Sequence, residues 1–415
     1  MTETATPGGQ TVRVDRVDRV DGRDRRLDGL RALAALAVIV THVGDWTDSV
    51  TGPFGTWVQD LNVGVDVFFV ISAVLLYAPF VATHLDGRPH PALRTYANRR
   101  ILRIFPAYWV ALLVILPISP IYGLRGAWQW FSVPLLVYTY RAAGLFANAG
   151  LRQGWTLVIE VSFYAFLPLY ALCIRGFGRR VGALRAEVVG AVALFIAGPT
   201  CFWFASRGEA FQIPQLLRVL FPSLGIFAAG MLIVIAREAV ARMPEPPRWW
   251  EILGTSAVPW YIAALLAYWV ICEKVGISPT MAELITARQQ WVQHLLQTVV
   301  AACVVAPAVI VPARRSWSLR MIGSRPLAFV GMISYGIYLW HYAVIEWLVR
   351  RFGCDPTALR PCPASVNWSF VKVSLAAVPL SIAAGALSWY LVERPTIRIA
   401  HRYSTKRTIT GRPAS

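Results

Sequence analysis

Charge is scarce in this chain. Of its 415 residues only 15% are Asp, Glu, Lys or Arg, against roughly a quarter in a soluble domain. Lysine is nearly absent, occurring at Lys274, Lys372 and Lys406 alone. With 56% hydrophobic residues, a soluble fold is excluded and a membrane protein implied. The charge that remains is lopsided, 40 basic against 22 acidic residues. No basic face with interleaved aromatics accompanies that excess, so nucleic acid is excluded as a partner. Residues 1–27 lack an apolar core followed by a cleavage site, so they are expected to form a disordered, basic cytoplasmic tail and not a removable signal. Close cysteine pairing is missing too. Cys173, Cys201, Cys272 and Cys303 fall in or beside apolar segments without metal-site spacing, and no metal is predicted.

What is present is a series of apolar runs of about 20 residues, the length that crosses a bilayer. They lie near 29–46, 63–83, 104–119, 155–174, 187–206, 216–236, 252–272, 291–311, 327–349 and 369–392. The chain is therefore expected to be an all-α integral membrane protein of about ten transmembrane helices. Residues 28–398 form its membrane domain, and 399–415 a second basic cytoplasmic tail. The stretch GAWQWFSVPLLVYTY, Gly126 to Tyr140, is short and broken by Pro134, which predicts an interfacial or re-entrant segment. The two tails and the even-numbered connections hold 28 Lys and Arg, the odd-numbered connections 10. By the positive-inside bias both termini are cytoplasmic. Cys354 and Cys362 then share an extracytoplasmic loop, where they could close a disulfide or remain two thiols.

Three titratable residues stand inside this apolar frame. From the helical rise, His42 lies about 20 Å above the cytoplasmic boundary, His341 in ISYGIYLWHY at about the same height, and Glu160 in GWTLVIEVSFY about 22 Å up. Intramembrane Glu and His usually face a cavity or bundle interior and do work there; an interhelical hydrogen bond is the competing explanation. The chemistry on offer is proton transfer. A neutral imidazole can take a proton from an alcohol, with Glu160, or Asp66 in NVGVDVFF, supplying the carboxylate that orients it. On the cytoplasmic side Arg31 stands eleven residues before His42 on the same helix face, and Arg100 and Arg103, with Arg99, open the third span. Such arginines suit a phosphorylated ligand; anchoring by the positive-inside bias accounts for them equally.

These residues also carry a resemblance. The order Arg31 and His42 in span one, GVDVFFVIS in span two, Arg100-x-x-Arg103 at span three, GWTLVIEVSFY in span four, ISYGIYLWHY in span nine and LVERP closing span ten resembles the acyltransferase family 3 of integral membrane O-acyltransferases. The resemblance extends from about Arg26 to Arg398. It implies transfer of an acyl group, often acetyl, from cytoplasmic acyl-CoA to a hydroxyl of a cell-envelope glycan, glycolipid or glycosylated metabolite. It implies His42 as the essential catalytic residue and Arg31, Arg100 and Arg103 as contacts to the coenzyme. Where relatives often pair glutamates in span four, this chain has Glu160 followed by Val161, so any carboxylate role there rests on Glu160 alone.

The alternative is a proton-coupled transporter of acylated or phosphorylated metabolites, with His42, Glu160 and His341 as a relay. No similarity between spans one to five and six to ten supports it. A multi-pass protein of a bacterial cytoplasmic membrane is expected, modifying polysaccharide or related hydroxyl-bearing acceptors. His84, His90 and His401 sit in basic connections or tails and are expected to be solvated, and His294 to be structural.

Overall fold

The structure is a computed structural model and describes residues 19–20, 23–47, 54–119, 124, 126–140, 150–207, 217–275, 285–312, 316–351 and 369–399. Cys354, Cys362, His401 and most of both tails lie outside the described residues. Fifteen α-helices are described: α1 Arg25–Trp46, α2 Gly55–Asp60, α3 Gly64–Leu85, α4 Leu93–Ile118, α5 Ala127–Ser132, α6 Trp155–Val181, α7 Ala183–Arg207, α8 Leu220–Val240, α9 Arg248–Leu253, α10 Val258–Lys274, α11 Ala287–Ile310, α12 Trp317–Ile322, α13 Arg325–Met332, α14 Ser334–Arg351 and α15 Ser369–Ser388. A two-residue antiparallel ladder, Arg19–Val20 with Arg23–Asp24, precedes α1. The predicted all-α membrane class is what the structure shows.

Eight helices are long and apolar enough to cross a membrane, and nine if the bent pair α13–α14 counts as one span. The seventh expected span is the 17-residue α10, shorter than the roughly 20 residues of a full crossing. The ninth is not the straight helix the depth reading assumed. It breaks at Ile333, and α13 meets α14 at 70°, so His341 is placed by α14 alone and not by a rise counted from Leu327. The Gly126–Tyr140 stretch is short and broken as predicted, with six-residue α5 ending before Pro134.

Helix ends are set by local chemistry. The Asp24 carboxylate caps α1 by accepting from the Arg26 N–H, and Thr286 and Gln289 form a reciprocal capping box on α11. Prolines 79, 106, 117, 168, 199, 307 and 379 lie inside long helices, as membrane helices tolerate when neighbours satisfy the freed carbonyls. Near the proline of α7, the Trp291 indole N–H of α11 donates to Pro199 O at 2.9 Å and ties the two helices together.

α1 is the central strut, packed against α3, α13, α14 and α15. α3, α6, α7, α8 and α11 build one core around stacked Phe69, Phe227 and Phe163, with ring centroids 4.8 and 3.9 Å apart. α4 closes on α6 and α14 through Tyr108, Ile115 and Leu339. Close approach depends on small residues: a Cβ on Gly336 of α14 would stand 2.8 Å from Gly385 O of α15 and 2.9 Å from Glu393 Oε1. The start of α1 and the ends of α3, α8 and α11 share one side, shown by Arg26 donating to Val311 O and Arg242 to Asp86. The His42 end of α1 is on the other.

Candidate functional site

A cavity of about 770 Å³ opens between α1, α3, α4, α6, α14 and the end of α15, within the size range of small-molecule sites. Its polar lining is dominated by Arg31, Arg99, Arg100, Arg103 and Arg394, with Glu160, Tyr164, Tyr335, Ser334 and Thr156. The structure thus brings Arg31, Arg100, Arg103 and Glu160 together from three helices. Arg99 and Arg100 also border a second hollow of about 520 Å³ beside Tyr96 and Phe80.

Arg103 and Arg100 are positioned by their neighbours. Arg103 pairs with Glu393 at 3.2 Å, a carboxylate only 1% exposed, and its guanidinium stands 5.6 Å over Trp389 and 5.7 Å over Tyr335. Trp389–Glu393 form a single π-helical turn, a departure that re-aims side chains and recurs at functional sites. Here it delivers Trp389, Tyr390 and Arg394 to the cavity and Glu393 to Arg103. Arg100 lies 5.7 Å over Tyr164. The Tyr164 hydroxyl donates to Glu160 Oε1 at 2.5 Å and the Ser72 hydroxyl at 3.0 Å. Glu160 is therefore a member of the arginine cavity.

Beyond the cavity's inner wall stand the imidazoles. Tyr338 lines the cavity, and its ring is 5.7 Å from that of His341. His341 is fully buried and stacks on His42 at 5.4 Å with an interplanar angle of 22°. The two histidines that sequence placed at one height do meet. His341 Nδ1 lies 2.7 Å from Tyr338 O. A carbonyl only accepts, so this nitrogen carries the proton, and Nε2 keeps its lone pair with no partner among the described residues.

His42 Nδ1 lies 3.1 Å from Asp45 Oδ2 and 2.8 Å from the Tyr342 hydroxyl. The carboxylate that addresses His42 is thus Asp45, three residues on along α1, and neither Glu160 nor Asp66. Asp66 makes no hydrogen bond or ion pair with another described residue. A carboxylate can only accept, which puts the hydrogen on Nδ1 and leaves Nε2 as a free base. The His42 side chain is 17% exposed and Asp45 41%, so the pair borders the far face, opposite the arginines.

Sequence reasoning passed over Asp45, Tyr342, Glu393 and Arg394. The signals were present: Asp45 stands one turn from His42, and Glu393 and Arg394 are the charged pair inside LVERP. It also misread His84. That residue is buried, and the Glu187 carboxylate at the start of α7 is shared between the His84 ring and the Tyr77 hydroxyl. His84 Nε2 meets His90 Nε2 at 2.6 Å. Burial, then the neighbouring His84 and Arg175, push the His90 pKa below its ordinary value, opposed by Glu187. Tyr77 and His84 are two helical turns apart on one face of α3, which lets both reach the same carboxylate. His294 is buried and stacked on Phe202 with centroids 4.1 Å apart.

Comparison with known proteins gives the family. The family model described as an acyltransferase domain matches residues 24–389. The chain is 26% identical over 389 residues to Nodulation protein 10 of Rhizobium leguminosarum bv. viciae, covering 87% of this chain and 90% of that one. It is 25% identical over 316 residues to the peptidoglycan O-acetyltransferase OatA of Listeria monocytogenes, covering 70% of this chain and 46% of that one. A putative O-acetyltransferase of Staphylococcus aureus is 23% identical over 310 residues, covering 70% and 47%. The chain thus spans about half the length of the two O-acetyltransferases. No solved structure matches.

Proposed function

This chain belongs to the acyltransferase-domain family and is a membrane O-acyltransferase; from that premise we propose that its donor is acyl-CoA, acetyl-CoA foremost, and its acceptor a hydroxyl-bearing carbohydrate or glycoside. The observation that carries the reading is the five-arginine cavity ending one aromatic ring short of a stacked histidine pair. Guanidiniums and their stacking aromatics suit a phosphorylated, nucleotide-bearing donor. Arg31, Arg100 and Arg103 take its phosphates, and the thioester arm extends past Glu160 and Thr156 toward Tyr338.

Under this reading the acceptor hydroxyl reaches His42 from the opposite face. His42 Nε2 takes its proton as the oxygen attacks the thioester carbonyl. The carbon–oxygen bond forms, the carbon–sulfur bond breaks, and the proton passes on to the departing thiolate. Asp45 stabilises the imidazolium in the interval. His341, whose Nε2 has no partner among the described residues, is placed to accept a hydrogen bond from the acceptor. The kinship with a peptidoglycan O-acetyltransferase supports an envelope polysaccharide as one acceptor class.

The test uses membranes containing wild type or His42→Ala with labelled acetyl-CoA, following label into glycan, lipid and small-molecule extracts. Transfer should fall by about 10²- to 10⁴-fold in the variant, the worth of a positioned general base. Undiminished transfer would remove His42 from the chemistry. Arg100→Gln with Arg103→Gln should raise the donor KM with kcat nearly unchanged.

A further inference from the structure

Two arginines converge on the far side of the histidine pair, where the chain otherwise places few. Arg152 precedes α6 and Arg218 precedes α8, so they come from two different connections on the face poor in basic residues. Anchoring by the positive-inside bias explains clusters on the opposite face and leaves these two unexplained. The Arg152 guanidinium stands 5.8 Å from the centroid of the Tyr342 ring, and that ring is 4.3 Å from His42, so the cation lies within about 10 Å of the proposed base. Arg218 is 5.5 Å over Trp155, the first residue of α6. Trp155 stands three residues after Arg152, so the ring under Arg218 lies about one helical turn beyond Arg152 and brings the two guanidiniums to neighbouring positions. Neither arginine forms an ion pair with another described residue, and both are exposed. Each also sits at the N-terminal end of a long helix, where the aligned peptide dipoles add to the positive field.

We infer that Arg152 and Arg218 form an anion-recognition site for the acceptor, selecting hydroxyl compounds that carry a carboxylate or phosphate close to the hydroxyl that His42 deprotonates. This rests on the acyl-transfer reading and adds the acceptor's charge to it. Guanidiniums bind both anions in bidentate fashion, so the shared chemistry is an oxyanion seated on a guanidinium that stands within about 10 Å of the His42 ring. Asp45 is the carboxylate beside this site, and its engagement with His42 holds its charge away from the arginines. The charge of the acceptor would then orient it, with its hydroxyl toward the His42 ring and away from Asp45.

The test is equilibrium binding to the purified full chain in a neutral detergent, read by saturation-transfer NMR. The probes are methyl β-glucoside, methyl β-glucuronide and methyl glucoside 6-phosphate. No donor is needed, so the outcome is independent of whether acyl-CoA is turned over, which the His42→Ala experiment decides separately. One or both anionic probes should bind at least about tenfold more tightly than the neutral one, the worth of a charge-assisted contact. Which anion is preferred identifies a uronate-type or a phosphorylated acceptor. Arg152→Gln and Arg218→Gln should each shrink that preference several-fold without changing the neutral probe. The Lys variants should keep part of it, and Arg351→Gln, on the same face, all of it. Equal affinity for the three probes, or a preference that survives the Arg152→Gln, Arg218→Gln double change, would overturn the proposal.

Discussion

At the scale of single residues, the tautomer of His42 is the quantity on which the proposed chemistry turns. Nδ1 faces both Asp45 and Tyr342, and as long as Asp45 is an acceptor the proton is fixed there and Nε2 is free. An asparagine at this position offers an amide N–H in the same place, which permits the opposite tautomer and puts hydrogen on Nε2. Asp45→Asn should therefore cost more than Asp45→Ala, in which Tyr342 still accepts from Nδ1. We expect kcat to fall by about 10³-fold or more for Asn and about 10²-fold for Ala, with the donor KM unchanged in both. Steady-state acetyl-CoA consumption checks this. Equal losses in the two variants would mean that Asp45 acts only through its charge. Sequence reading found His42 and His341 because an imidazole in an apolar run is conspicuous. It missed Asp45 because a carboxylate at the end of a span reads as ordinary solvated loop chemistry.

At the scale of elements, two departures from regular helix position the site, and neither is visible as a pattern. One is the 70° break at Ile333 between α13 and α14; residues 327–349 form an unbroken apolar run with no proline, so hydropathy reads a single straight span. The break is a tertiary effect, with Gly331 pressed so closely on Asp28 O of α1 that a Cβ would collide. The other is the π turn at Trp389–Glu393, which widens the helix by one residue and turns Glu393 onto Arg103 across two elements distant in sequence. The arginines were legible because the Arg-x-x-Arg spacing puts them on one helix face; the partner that orients them was not. That pairing can be tested as a unit. Removing Glu393 frees Arg103 to leave the cavity wall, so Glu393→Gln should raise the donor KM as Arg103→Gln does. The double variant should be no worse than Arg103→Gln alone, giving a coupling energy close to the whole single-mutant effect. Strict additivity of the two changes in the donor KM would show that Glu393 does not act through Arg103.

At the scale of the whole molecule, the all-α membrane class and most of the spans were readable from composition, and the two-sided character of the site follows only from the packed bundle. The arginine cavity opens beside the start of α1, and the His42–Asp45 pair borders the other end of the same helix, with Tyr338 and His341 between them. Such an arrangement admits donor and acceptor from opposite faces of a bilayer. Acetyl-CoA is too highly charged to cross a lipid bilayer unaided, which makes sidedness measurable in sealed vesicles. Everted vesicles, with the arginine face outward under the positive-inside orientation, should consume externally added acetyl-CoA. Right-side-out vesicles should do so only after permeabilisation. An acceptor added outside should show the reverse requirement, entering the reaction in right-side-out vesicles that have been loaded with acetyl-CoA. Equal activity of intact vesicles of both orientations toward external acetyl-CoA would place the donor route elsewhere than the cavity between α1, α3, α4 and α6. The membrane would then be only an anchor for a site open to one face, and the separation of arginines from histidines along α1 would need another explanation.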